Sequence, residues 1–272
     1  MARCLIVLAD GLRPDAITRR LAPRLSQLRD ANVSAVHATT IRPSVTVAAL
    51  TSLATGVAPA THGLTQPGLG FLLRLGSLRP LGRELARAGV RTTVVAGPVA
   101  PAARPVAWAL ASSAGVARLE CGPSGAPRIA DAALAVLDDM ANGLLFVYLP
   151  DADQAGHASG WMSPAYLGAV AAVDDAAGRL AAAAGDALTI VLADHGGGGV
   201  YPTDHDLPHP VNDHIPLILS GPAVARGTRL AGPVSLLDVP ATVLHWFGRP
   251  IPECYEGRPL LEAFAAPREA VA

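Results

Sequence analysis

The sequence predicts an α/β fold, a three-layer α/β/α sandwich around a largely parallel central sheet and a minimal core without a large cap domain. Two observations carry this. Five short apolar runs, "CLIVLA" (4–9), "TTVVAG" (92–97), "LLFVYLP" (144–150), "LTIVLAD" (188–194) and "IPLILSG" (215–221), are each bounded by Gly, Pro or Asp. Runs of this length and composition read as strands buried on both faces. Between them lie segments whose apolar residues recur at spacings of three and four, "LAPRLSQLRDA" (21–31), "LGRELARAG" (81–89), "RIADAALAVLDDMAN" (128–142) and "PAYLGAVAAVDDAAGRLAAAAG" (164–185). These have the period of helices that bury one face, and alternation of the two patterns argues for a sheet covered by helices. The Pro- and Gly-rich stretches 97–106 and 122–128 read as loops leaving elements, not as linkers. The chain therefore reads as one domain, residues 1–264, with a C-terminal tail at 265–272.

Composition narrows the classes of function. Hydrophobic residues make up 51% of the 272 and charged residues 16%, which suits a protein with a sizeable core and argues against disorder. A formal net charge of −1 gives no electrostatic ground for a nucleic-acid polymer or an anionic membrane as partner. Three cysteines, Cys4, Cys121 and Cys254, form no Cys-x-x-Cys pair and are odd in number, so reduced thiols are expected. No apolar run reaches the roughly 18 residues of a membrane span, and a first strand at Cys4 leaves no room for a leader. The expected location is the cytoplasm. The sequence leaves the oligomeric state open.

Several apolar runs end on polar groups, and in open α/β sheets ligands gather at the carboxyl ends of the strands. After "LIVLA" comes Asp10, which is either a cap at a turn or the partner of something cationic, because a lone buried charge is costly. After "LLFVYLP" come Asp151 and Asp153, and His157 follows Asp153 by four in what reads as a Gly-containing loop. A carboxylate and an imidazole at that spacing can close on one cation such as zinc; Asp151 is either a rival carboxylate or a turn cap. After "LTIVLA" come Asp194 and His195, followed by four glycines that permit a sharp turn and close approach of a ligand. The stretch "TDHDLPHPVNDHIP" adds His205, His209 and His214, so five of the eight histidines fall between 157 and 214, a bias toward a metal site. In "RPSVTVAALTSLATG" a helix starting near Val47 would put Ser44 and Thr46 at its N-terminus, as caps or as hydroxyls beside a bound anion.

Taken in order, these pieces resemble the alkaline phosphatase superfamily, in particular its nucleotide pyrophosphatase/phosphodiesterase branch. Thr46 stands nine residues before Thr55 of "TGVAPATHGL", "PDADQAGH" is similar to the family's Asp-x-x-x-His, and "ADHGG" to its Asp-His pair. The C-terminal "LLDVPATVLHWFGRPIPECYEGRPL" resembles the closing element of phosphatases and sulfatases, where Asp238 would cap a helix. The resemblance implies two divalent ions, zinc with manganese or iron as alternatives. One would take Asp10, Thr46, Asp194 and His195; the other would take Asp153, His157 and His205, with His209 as the rival third histidine. It further implies that Thr46 is the nucleophile, that a phospho-threonine forms, and that the substrate is a small phosphate ester or nucleotide. His62 matches a family position and reads as supporting structure.

Two departures bear on the substrate. Where the diesterase branch carries an Asn after "HG", this chain has Pro67, preceded by Thr65 and Gln66, so Gln66 is the candidate for holding a phosphoryl oxygen. Little chain separates His62 from Asp151, which leaves Trp161 either as a stacking face at the mouth of the site or as packing under a loop. A phosphomonoesterase or a phosphonate hydrolase of the same superfamily is the alternative reading. A sulfatase would need a "CxPSR"-like motif that none of the cysteines occupies, and a non-catalytic relative would have lost one of the seven site positions, all of which are filled.

Overall fold

The computed structural model describes residues 2–35, 37–66, 74 and 78–265; Pro67, and the expected tail from residue 266 onward, lie outside them. In chain order the strands are β1 (Arg3–Ala9), β2 (Val33–Ala35), β3 (Ala38–Thr39), β4 (Thr92–Ala96), β5 (Arg118–Cys121), β6 (Gly143–Leu149), β7 (Leu188–Leu192), β8 (His214–Ile215), β9 (Leu217–Ser220), β10 (Arg229–Leu230) and β11 (Val234–Ser235). Eight form one sheet in the order β10-β2-β9-β7-β1-β6-β4-β5, and β11-β3-β8 form a small second sheet.

All five apolar runs become strands of the large sheet, and β1, β7 and β9 are buried almost throughout. Cys4 lies within β1, and burial pushes its thiol far above the ordinary range, so it packs as a small apolar group. The helices Pro23–Ala31, Ala126–Asp139 and Asp151–Ser159 pack with the long helix Pro164–Ala183 on one face, and Thr46–Thr55, Leu81–Ala86 and Asp238–Trp246 pack together on the other. The long helix starts where the sequence supplies a cap: Ser163 Oγ accepts from Tyr166 N, with Pro164 in the first turn. In Ala126–Asp139 the buried residues Ile129, Ala130, Ala133, Val136 and Leu137 follow the three-and-four spacing read from the sequence.

Two expectations are corrected. The segment taken as a loop at 97–106 gives way to a helix at Arg104–Ser113, whose two-proline lead-in masks a helical run, "AWALASS". The segment "DADQAGHAS" is a helix, Asp151–Ser159, rather than a loop; its acidic first turn complements the helix N-terminus. That change matters, because in a helix residues four apart share one face.

Within the large sheet β9 runs against both neighbours, while the other strands share one direction. Leu217 at the start of β9 therefore pairs with Leu192 at the end of β7, and the histidine-rich segment entering β9 arrives at the same edge where β1, β6 and β7 terminate. No helix among the described residues is long and apolar enough to cross a membrane.

Candidate metal centre

Two backbone bonds and one side-chain carboxylate lock three strand ends together. Asp10 N donates to Leu149 O (3.0 Å), and Asp153 N donates to Asp10 O (3.1 Å), so the end of β1 is tied to the end of β6 and the start of the helix that follows it. Gly11 turns the chain at φ +65°, and a Cβ there would stand 2.9 Å from the Asp153 backbone, which leaves glycine as the residue that fits. Asp194, just beyond β7, accepts on Oδ1 from the amides of Gly11 (3.3 Å) and His195 (3.0 Å), leaving Oδ2 to face inward.

Two clusters of ligating atoms result. In the first, His195 Nε2 stands 3.3 Å from Asp10 Oδ1, 3.5 Å from Asp194 Oδ2 and 3.2 Å from Thr46 Oγ1. In the second, His157 Nε2 lies 3.1 Å from His205 Nε2, with Asp153 Oδ1 at 3.4 Å and 3.8 Å from the two nitrogens. His195 also converges with Asp153 and His205, all within 4.8 Å, so it stands between the clusters; its ring stacks on His205 with centroids 3.7 Å apart. His157 belongs with the second cluster on the shorter distances, its Asp153 and His157 lying one helical turn apart.

The three imidazoles are oriented alike. Each Nδ1 donates to a main-chain carbonyl: His157 to Thr203 O (2.9 Å), His195 to Gly196 O (2.7 Å) and His205 to Ser44 O (2.7 Å). That fixes the tautomer and aims every Nε2 lone pair into the centre.

The donor set fits divalent cations. Asp10 Oδ1, Asp153 Oδ1 and Asp194 Oδ2 are buried and without a hydrogen-bond partner, although buried polar atoms are otherwise almost always paired. These are the same oxygens that stand within 4 Å of the histidine nitrogens. Ligand atoms about 2.0–2.1 Å from one tetrahedral ion lie about 3.3–3.4 Å from each other, close to the separations found here. Mixed carboxylate and imidazole ligands suit zinc, manganese or iron.

Electrostatics point the same way. Burial, reinforced by the Asp194 carboxylate, raises the Asp10 carboxyl well above the usual range, and burial pushes Asp194 up to about 7. Burial and the neighbouring His195 lower His205 to about 4, so it is neutral at physiological pH. Two buried carboxylates side by side are unfavourable unless cationic charge compensates them.

The remaining expected residues separate. His209 Nδ1 accepts from Val211 N (3.3 Å) at the start of the helix Pro210–Asp213, so His205 and not His209 joins the cluster. Trp161 is buried rather than open at the mouth. Its Nε1 donates to Gly11 O (2.9 Å), and its ring meets His157 and His205 edge-on. Gln66 is exposed and lines an apolar cavity between the helix Thr46–Thr55 and the sheet, away from the ligand clusters. Asp151 Oδ1 accepts from Ala126 N (2.8 Å), a capping contact. Asp238 does not cap its helix as expected: its carboxylate accepts from Ser235 N and Arg258 N, tying the chain before the helix to the C-terminal segment. His62, whose pKa burial lowers, accepts from Leu64 N on Nδ1 and lies with Nε2 3.1 Å from Ser52 Oγ, tying the loop to the helix Thr46–Thr55. Ser44 Oγ donates to His205 O (2.7 Å), which leaves Thr46 as the free hydroxyl facing the cluster. The sequence reading missed Tyr148, whose hydroxyl donates to Asp10 Oδ2. Strand alternation could have found it, since Tyr148 pairs with Leu8 and so shares the face of Asp10.

A buried carboxylate and imidazole centre around one threonine, at the carboxyl edge of an α/β sandwich, defines the class: a metal-dependent phosphoester hydrolase of the alkaline phosphatase superfamily. The chain belongs to the type I phosphodiesterase/nucleotide pyrophosphatase family, whose sequence model matches residues 4–69 and 85–230. No curated protein matches the chain. Among solved structures it is similar to a phosphonate monoester hydrolase from Silicibacter pomeroyi, with 17% identity, a TM-score of 0.73, and 99% of this chain covered against 78% of that one. It is also similar to murine ectonucleotide pyrophosphatase/phosphodiesterase 5, with 14% identity, a TM-score of 0.71, and 97% of this chain covered against 100% of that one. The lipoteichoic acid synthase LtaP from Listeria monocytogenes matches with 14% identity, a TM-score of 0.70, and 92% against 72%. At these identities the likeness is one of fold.

Proposed function

We propose that the chain is a phosphodiesterase that cleaves small phosphodiesters through a phospho-threonine on Thr46, at a centre that holds two divalent cations, zinc foremost. The observation that carries this is the placement of Thr46 Oγ1, the first residue of its helix, 3.2 Å from His195 Nε2 in a cluster of otherwise buried ligands. Asp10, Asp194, His195 and Thr46 would hold one cation, and Asp153, His157 and His205 the other. When bound, the cations supply charge for the phosphoryl oxygens and lower the pKa of the attacking hydroxyl.

The chain's own groups do the rest. Thr46 Oγ1 forms a bond to phosphorus while one ester oxygen departs, and water then breaks the Oγ1–P bond and restores the hydroxyl. The helix Thr46–Thr55 starts at the nucleophile without a side-chain cap, and the first amides of a helix favour an anion such as a phosphoryl group. Trp161 and the Nδ1 bonds keep the imidazoles from rotating. Murine ectonucleotide pyrophosphatase/phosphodiesterase 5 was solved as an inactive threonine-to-alanine variant in complex with AMP, which supports both a threonine nucleophile and a phosphate-ester ligand here.

The test compares hydrolysis of bis-p-nitrophenyl phosphate and p-nitrophenyl phosphate by zinc-loaded protein, with Thr46→Ala beside it. Diester turnover that exceeds monoester turnover and collapses in the variant is the expected result. Monoester preference would make it a phosphatase, and turnover confined to phosphonate esters a phosphonate hydrolase. Full activity in Thr46→Ala would sink the nucleophile assignment.

A further inference from the structure

Asn212 lies in the short helix Pro210–Asp213 and is buried. It stands outside both ligand clusters, yet it touches the stretches of chain that carry His195 and His205. We propose that Asn212 is a positioning residue that holds the two halves of the metal centre in register, its amide oxygen serving the His195 segment and its amide nitrogen the His205 segment. This rests on the two-cation reading and adds to it the group that ties the two ligand sets together.

The bonds of Asn212 divide by sign. On the His195 side it only accepts: its carbonyl from Gly196 N (2.8 Å) and its Oδ1 from Gly199 N (3.1 Å). Gly196 O in turn accepts from His195 Nδ1, so the residue that aims this imidazole is itself held by Asn212. On the His205 side the amide nitrogen only donates, to His205 O (3.2 Å) and Leu207 O (2.8 Å). His205 O also accepts from Ser44 Oγ, so the segment leading to Thr46 meets the same carbonyl.

That division calls for an amide. Asparagine offers two donors at one end of a planar group and acceptor lone pairs at the other, whereas aspartate, of the same shape, offers acceptors alone when ionised. Reversing the amide would set its NH₂ against the Gly199 N–H and its oxygen against two carbonyls, so the group has one orientation. Buried and bonded at both ends, such a group rigidifies what it joins, and a partner left unpaired carries the cost of its desolvation.

The four glycines after His195 are shared between two neighbours. A Cβ on Gly197 or Gly198 would meet Trp161. Gly196 and Gly199 instead face the helix of Asn212: a Cβ on Gly196 would stand 1.9 Å from Val211 O, and one on Gly199 2.8 Å from Asn212 Oδ1. These two glycines are the ones whose amides Asn212 accepts, so the close approach and the hydrogen bonds are one feature. Asp213, next in the chain, pairs with Arg42, and its carbonyl accepts from Thr40 N (2.8 Å), which pins the same helix to the chain ahead of Thr46.

The test titrates zinc into chelated protein by calorimetry, with His205→Ala marking the phase that belongs to the second cluster. Asn212→Asp keeps the shape and the acceptor end but sets negative charge against His205 O and Leu207 O. It is expected to weaken the marked phase about 10- to 100-fold, the scale for groups that orient metal ligands, and to leave the other phase unchanged. Asn212→Ala removes both ends of the amide and is expected to weaken both phases; it buries no charge and serves if the aspartate variant does not fold. Asp174→Asn disturbs the bonds from Arg24 N and Leu25 N and is the control for stability alone, with a lower Tm and both phases unmoved. Unchanged zinc affinity in either Asn212 variant, equal loss from both phases in Asn212→Asp, or the same losses in Asp174→Asn overturns the proposal. A single phase in the wild-type protein overturns the two-cation reading instead; Asn212 then stands only if Asn212→Asp and His205→Ala both weaken that phase.

Discussion

Nε2 of His157 and Nε2 of His205 stand 3.1 Å apart, and in the neutral form neither carries a hydrogen, because each Nδ1 already donates to a carbonyl, of Thr203 and Ser44 respectively. Two lone pairs at that distance repel, and Asp153 Oδ1, also unpartnered, adds a third. A cation turns this repulsion into three ligand bonds. The protein is therefore expected to be markedly less stable without metal. At 100 times the dissociation constant a bound ion contributes about 2.7 kcal/mol, which in a chain of this size corresponds to a Tm shift of about 5–10 °C. Chelation followed by zinc titration in a thermal melt measures it; a Tm indifferent to both would refute a metal centre.

Thr46 is separable from its neighbours by substitution. Ser44 and Thr51 have their hydroxyls on the carbonyls of His205 and Val47, so neither can stand in for a lost Thr46. Thr46→Ala is expected to lower kcat for a diester by at least about three orders of magnitude, the scale of removing a nucleophile, while Thr46→Ser keeps measurable turnover. Equal loss in both, with folding intact, would mean that the methyl group and not the hydroxyl matters.

Metal binding should depend on pH through the carboxyls of Asp10 and Asp194 and not through His205. Asp194 is pushed up to about 7 and Asp10 is raised as well, while His205 is lowered to about 4 and is neutral above that. A cation must displace protons from the two carboxyls, so zinc affinity should climb between pH 5 and 7.5. For the metal-free protein the sign reverses. A carboxyl whose folded pKa exceeds its unfolded value holds its proton more tightly when folded, so stability falls as pH rises through about 7. His205 acts oppositely, but only below its unfolded pKa of about 6.5, which leaves pH 6.5–8 as the window where the loss is seen. Urea melts of chelated protein across that window decide it.

The parts of the site that were legible in the sequence are those where a strand ends on chemistry. Asp10, Asp153, Asp194 and His195 could be read because a buried apolar run stopping at an ionisable group is a local pattern. His205 could not be separated from His209 by residues alone, since the choice depends on β9 running against its neighbours and on Ser44 O being present to orient one ring. The same holds for the fold. The five apolar strands announce themselves, whereas β5, "RLEC", and the two-residue strands have no hydrophobic run and exist because a neighbouring edge pairs with them. The helix Asp151–Ser159 hides behind a proline and two acidic residues whose value lies in the helix terminus they complement.

Tyr148 tests the support around a ligand. Burial and the adjacent Asp10 carboxylate raise its phenol, so it stays protonated and donates to Asp10 Oδ2, leaving Oδ1 for the cation. Tyr148→Phe removes that donor and little volume. Zinc affinity should drop about 10- to 100-fold, as for other groups that orient metal ligands, with the far-UV circular dichroism spectrum unchanged. An unaltered affinity would mean that Asp10 is held by its backbone bonds alone.

The glycine run after His195 serves Trp161. A Cβ on Gly197 would stand 2.0 Å from the Trp161 ring, and one on Gly156 2.6 Å from it, so the indole is clamped between two chains that both lack side chains at the contact. That clamp carries the edge-on contacts to His157 and His205, which makes the glycines part of the metal centre at one remove. Gly197→Ala forces the ring to move, at a cost of about 1–3 kcal/mol for overpacking, and should weaken zinc binding along with the Tm. Gly168 offers the contrast: it lies on the exposed face of the helix Pro164–Ala183, and a Cβ there meets nothing within 4 Å. Gly168→Ala should raise stability by about 0.5–1 kcal/mol through helix propensity and leave zinc affinity alone. Should both substitutions change stability and neither change metal affinity, Trp161 would be packing for the fold and not for the histidines.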